Sequence, residues 1–197
     1  MLTLLAFMVI LGVLTSRPAP LPTPDDPQPV LQVFRAETPM DLLLALPLKT
    51  NDQVRVAVAI PLGLEPIFLQ LDTHGSVQEL SPVDQRQNGQ LMEFSHPPLR
   101  PMALPSTSGT KVFLVCASPR RPSLEKVLPL LPKGSWPELP DYFLIKFTKK
   151  GAELAGPKGP RLPAPAETAE IEGRVRSLVE RLSEHFSFIA GVAVPVR

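Results

Sequence analysis

Three histidines, His74, His96 and His185, are the first candidates for metal or proton chemistry in this chain. None has a second ligand at HxxxH or HExxH spacing, the separation that places two ligands on one face of a helix. His74 falls in a turn and His96 stands beside Pro97 and Pro98, both ordinary surface settings. His185 lies near the end of a helical segment, where a cation is mildly favoured by the helix dipole. The single cysteine, Cys116, cannot close an intramolecular disulfide. Its setting, Val112-Phe113-Leu114-Val115-Cys116-Ala117, reads as a buried strand with no neighbour in sequence to activate the thiol.

Ser106-Thr107-Ser108-Gly109-Thr110-Lys111 superficially looks like a phosphate loop. It lacks the glycine spacing and the following helix that would aim backbone amides at a phosphate, so it reads as a turn before a strand. Asp25-Asp26 and Asp72 are acids without a glycine-centred ligand loop, the usual setting of solvated carboxylates rather than a cation site. GxSxG, GxGxxG and CxxC are absent from the sequence. No catalytic, cofactor-binding or metal residue is therefore expected, and the chain reads as a non-enzyme. The rival is a hydrolase acting on envelope material through distant residues, with Asp72 and Glu79 near a cleft.

The elements that would position such residues are set by composition. At 197 residues the chain can bury one real core but is short for two full domains. Its 26 prolines against 11 glycines point to rigid connectors and broken strands. Twenty Lys plus Arg against nineteen Asp plus Glu leave a net charge of +1, too little for a field that draws in nucleic acid.

Residues 1–16 contain no charge and are strongly apolar, so a membrane anchor or signal segment is expected there. The run is short for a span and lacks the basic residues that precede a signal core, since the first basic residue is Arg17. It is therefore read as cleaved, spanning as an apolar helix, or part of a longer anchor. Residues 17–29 hold Pro18, Pro20, Pro22, Pro24, Pro27 and Pro29, which fix φ and remove amide donors, and so form an extended linker. Anchor, spacer and folded body are the order of a tethered module.

Residues 30–197 read as one β-rich domain. Alternation is clearest at 53–60, with Val54, Val56, Val58 and Ile60 on one face. Segments 67–72 and 77–80 flank a Gly75 turn and read as a hairpin. Further strands are expected at 30–35, 42–48, 91–94, 111–117 and 142–148, the last followed by a Lys149-Lys150-Gly151 turn. A short helix over 123–131 would start at Ser123 as N-cap and stop near Pro129. Residues 156–166 read as a Pro/Gly loop and 168–186 as an amphipathic helix. In that helix Ile171, Val175, Leu178, Leu182 and Phe186 share a face, while Glu170–Arg174 and Glu172–Arg176 form i,i+4 pairs. Residues 188–194 read as a closing strand, ended or placed at an edge by Pro195. The fold class is mainly β with minor α, an antiparallel sheet or sandwich carrying one C-terminal helix.

Three stretches carry a family resemblance. Residues 65–82, Glu65-Pro66-Ile67-Phe68-Leu69-Gln70-Leu71-Asp72-Thr73-His74-Gly75-Ser76-Val77-Gln78-Glu79-Leu80-Ser81-Pro82, follow a strand, acid-x-x-G, strand, leucine, small residue, proline order. Residues 108–118 fit a later Gly-containing strand, with Lys111 where a glutamate is usual, and residues 191–196 fit a closing strand. Together they resemble the bacterial domain of unknown function 4384. Members of that family are attached to kinase-like, caspase-like or membrane-anchor segments, which implies a sensor or interaction module and supplies no functional residue. The expected function is a membrane-tethered, non-enzymatic module on the extracytoplasmic side, binding a protein or envelope component through its sheet face or loops. The tail domain of a larger signalling protein is a further alternative.

Overall fold

The computed structural model describes residues 30–81, 83–97, 100–104, 107–156 and 165–197. The expected anchor at 1–16 and linker at 17–29 lie outside the described residues, as does most of the 156–166 loop. The chain begins with β1 (Val30–Arg35), which turns through Ala36 and Glu37 into β2 (Thr38–Met40) and then pairs with β3 (Gln53–Pro61). β4 (Glu65–Leu71) and β5 (Val77–Glu79) form the expected hairpin. β6 (Asp84–Asn88), β7 (Leu91–His96) and β8 (Met102–Ala103) return to β3, and β9 (Gly109–Ser118) is the longest strand. α2 (Leu124–Val127), β10 (Leu144–Thr148), β11 (Gly151–Ala155), α3 (Pro165–Ser183) and β12 (Phe188–Val196) follow, and α1 (Leu42–Ala45) lies between β2 and β3.

These strands make two antiparallel six-stranded sheets. The first has the order β2-β1-β3-β7-β6, with β8 also on β3, and the second β11-β10-β12-β9-β4-β5. The alternation of β3 turns Val54, Val56, Val58 and Ile60 inward against Phe68, Phe113, Val115, Val192 and Val194 of the second sheet. The opposite face of the second sheet is also buried, and α3 covers it with Ile171, Val175, Leu178 and Leu182 against Ile67, Leu69, Leu114, Ile145 and Ile189. The result is a sandwich with a third, helical layer on one side. Burial of each such side chain contributes roughly 1.5–3 kcal/mol, so the helix stripe alone is a substantial part of the fold's stability. A sheet covered on both faces needs apolar residues at consecutive positions, which is why β9 and β12 read as continuous runs.

Several expectations are corrected. The apolar run 42–48 is not a strand. Asp41 Oδ1 accepts the amides of Leu43 and Leu44, and this cap turns the run into the single turn α1. Strands β2, β6, β8 and β11 were not expected. The Lys149-Lys150 turn opens directly onto β11, which is paired along its whole length with β10. The 123–131 helix is split into α2 and a 3-10 turn over Leu128–Leu130 that takes in Pro129, and the Ser123 side chain makes no cap. The C-terminal helix begins at Pro165 and ends at Ser183, before Phe186. Glu170 and Arg174 approach to 3.9 Å, whereas Glu172 and Arg176 form no ion pair.

Pro195 neither ends β12 nor sits on an edge, because β12 is central and continues to Val196. β10 reaches β12 only as far as Ala193. Beyond it Leu48 joins alongside, its amide donating to the Pro195 carbonyl at 3.0 Å while the Arg197 amide donates back to Leu48 at 2.8 Å. The parallel bridge needs no amide from residue 195, so proline is tolerated.

Candidate functional site

The expected reactive groups are scattered. His74 is exposed in the β4–β5 turn and His185 is exposed beyond α3, whereas His96 is buried on the inward face of β7, not at the surface. Its inward position follows from period two, since Phe94 also points inward. Among the described residues no three His, Cys, Asp or Glu side chains gather as a metal group. Asp25 and Asp26 lie outside the described residues. Cys116 is fully buried under the helical layer, and burial pushes its thiol pKa up, which removes the thiolate that nucleophilic chemistry requires.

Asp72 is occupied by its own turn. Its Oδ1 accepts the amides of His74 and Ser76, both at 2.9 Å, so the carboxylate is a turn cap and not a free acid. Glu79 pairs with Arg121 at 3.2 Å and, opposite Leu69, belongs to the helix-side face of the sheet. Asp72 and Glu79 therefore do not converge on one cleft.

The 106–111 segment stitches the fold. Ser106 lies outside the described residues. Gly109, at φ 113°, opens β9, and a Cβ there would strike Thr73. The close approach lets the Thr73 hydroxyl donate to the Thr110 carbonyl at 3.1 Å. Thr110 Oγ1 in turn donates to the Pro137 carbonyl at 2.7 Å and accepts the Leu139 amide at 2.9 Å, fastening the 136–139 loop to the sheet end.

Two polar sites escaped sequence reasoning. Lys111 follows the inward parity of Phe113 and is fully buried, its Nζ donating to Thr107 Oγ1 at 2.6 Å. Burial lowers its pKa, and the nearby Asp72 charge offsets part of that shift. Asp52, also fully buried, accepts from Arg35 Nε at 2.8 Å and from the Lys49 amide at 2.9 Å. Burial alone would raise the Asp52 pKa, but the Arg35 and Lys49 hydrogen bonds and charges hold it below its ordinary value.

What remains is a surface. The outward face of the first sheet is formed by Gln32 and Phe34 of β1, Arg55, Ala57 and Ala59 of β3, Glu93 and Ser95 of β7, and Asp84 and Arg86 of β6. None of these residues belongs to either core cluster, although Ala57 and Ala59 are buried and Gln32, Phe34, Arg55, Glu93 and Ser95 are half-buried. Arg86 lies opposite Glu93 and also meets Asp84 at 3.6 Å, giving a mixed-charge rim beside two small alanines. Arg55 Nε is buried and has no hydrogen-bond partner in the described structure. Among the described residues no helix is long and apolar enough to cross a membrane, a statement that leaves β-barrels aside.

The chain matches no family model, no curated protein and no solved structure.

Proposed function

We propose that this chain is a membrane-tethered, non-enzymatic interaction or sensor module, with its folded body on the extracytoplasmic side and the outward face of the first sheet as its contact surface. The observation that carries the reading is the asymmetry of the sandwich. One outer face is sealed by α3, while the other presents Arg55, Glu93, Asp84 and Arg86 with no described element packed upon it. Charges of both signs on this face suit electrostatic complementarity with a polar protein or envelope component. The apolar run at 1–16 and the six-proline spacer supply the tether.

The test places a photo-crosslinking side chain at Arg55 in one full-length variant and at Arg176, exposed on α3, in another. Irradiation in cells is expected to give discrete adducts from position 55 and none from position 176. Adducts from 176 alone, or from neither position, would remove the surface assignment.

A further inference from the structure

We infer that the end of the sandwich carrying Leu62, Arg120, Lys149 and Lys150 docks on an anionic lipid surface. This rests on the tethered reading given above and adds to it the orientation of the domain and the lipid chemistry it prefers.

The registers place these residues together. Pro61 ends β3 and is joined to Glu65 of β4 by the three residues Leu62, Gly63 and Leu64, so both sheets meet at this end. Glu65 lies opposite Ser118, and Arg120 follows in the bend where Ser118 Oγ donates to the Arg120 carbonyl. Thr148 lies opposite Ala190, and the Lys149 amide donates to the Ile189 carbonyl, which brings the Lys149-Lys150 turn to the same end. Lys149 Nζ also donates to the Phe186 carbonyl beyond α3 at 3.1 Å, which holds that turn in place.

The chemistry of this end is basic with an apolar tip. Arg120, Arg121, Lys149 and Lys150 are exposed, and Leu62 is 40% exposed at the turn between the sheets. The facing acids are Glu65 and Glu184, while Glu79 reaches Arg121 from the side. The opposite end is mixed: Glu37, Asp72, Glu138 and Asp141 stand with Lys49, Lys133 and Arg197, the last engaged by Glu138 and Asp141, and Leu44 of α1 is exposed there.

The tether selects the same end. β1 runs antiparallel to β3 with Val30 opposite Ala57 and Phe34 opposite Gln53, so the N-terminal end of β1 points toward Pro61. The 29 residues upstream of Val30 contain the apolar run and the spacer. A body held from this end presents its basic tip to the membrane. Each basic side chain near an anionic leaflet tightens its hold by roughly fivefold, and an inserted leucine adds apolar burial.

The test uses the full chain in vesicles of phosphatidylcholine alone or mixed with phosphatidylglycerol, with headgroup spin-labelled lipid as quencher. A fluorophore is attached at Leu62→Cys in one sample and at His74→Cys in the other, Cys116 being buried. Flotation with phosphatidylcholine vesicles reads the tether by itself, and loss of flotation there would sink the tether and not the docking. Docking predicts strong quenching at position 62 with anionic lipid, weak quenching with phosphatidylcholine, and little at position 74 in either. Arg120→Glu with Lys150→Glu, both exposed, is expected to weaken the anionic-lipid effect by roughly 25-fold or more with an unchanged melting curve. Equal quenching at both positions, indifference to anionic lipid, or indifference to the double substitution would each overturn the docking.

Discussion

Arg35 grips Asp52 with two nitrogens, Nε at 2.8 Å from Oδ1 and Nη2 at 2.7 Å from Oδ2, and so pins the end of β1 to the loop that leads into β3. The carboxylate is fully buried, while the arginine side chain is 32% exposed. The same loop holds Leu48 against β12, so this pair ties the first sheet to the C-terminal strand of the second.

Asp52→Asn is expected to destabilise the fold by about 2–3 kcal/mol, because it leaves a guanidinium without its anion at the edge of the core. The folded carboxyl pKa lies below its ordinary 3.8. Its stabilisation is therefore complete above 3.8 and is lost as pH falls through the lower folded value. Urea melts of wild type and variant along an acid series check both claims. A variant as stable as wild type at neutral pH would refute the assignment.

Lys111→Met is expected to stabilise the fold by about 1–2 kcal/mol at neutral pH, since it removes the cost of burying an ammonium whose one described hydrogen bond is to a neutral hydroxyl. The amine pKa is lowered from 10.5 on folding. The unfolded chain thus binds the proton more tightly, the penalty is full below the folded value, and wild-type stability rises as pH climbs from there toward 10.5. The methionine variant should lack that alkaline rise, as chemical denaturation across the range would reveal.

Gly191→Ala is expected to cost about 1–3 kcal/mol. On the helix-facing side of β12, the Phe147 ring occupies the space a Cβ would need. Shrinking the ring as Phe147→Leu should recover part of that loss in the double variant. Additive losses in a double-mutant cycle would contradict the contact.

Cys116 is expected to react with a thiol reagent no faster than the whole domain unfolds, because it is buried between the second sheet and the helical layer. Comparing the labelling rate with the unfolding rate checks this, and faster labelling would indicate local opening of α3.

What the sequence revealed, and what it hid, follows from where each signal lives. Val54, Val56, Val58 and Ile60 alternate because one face of β3 is buried, and the stripe of α3 is visible because it meets a single sheet. Asp84–Asn88 has no apolar residue to betray it, and it is a strand because the β7 backbone offers it a partner. The leucines of 42–48 carry no period, so Asp41 as a cap decided their form. Period two from Phe94 already aimed His96 inward, a signal masked by the neighbouring prolines. The Arg35–Asp52 pair spans the turn, β2 and α1, and the outward face of the first sheet is defined only once two sheets are stacked, so neither could be read from local pattern.

The tethered, outward-facing arrangement is tested most directly by a full-length His74→Cys variant treated in intact cells with a membrane-impermeant maleimide and then fractionated. Position 74 is exposed and the native thiol is buried, so the label reports on the side of the membrane where the folded body lies. The account predicts labelled protein in the membrane fraction before lysis. Protein that stays in the soluble fraction and is labelled only after lysis would contradict it.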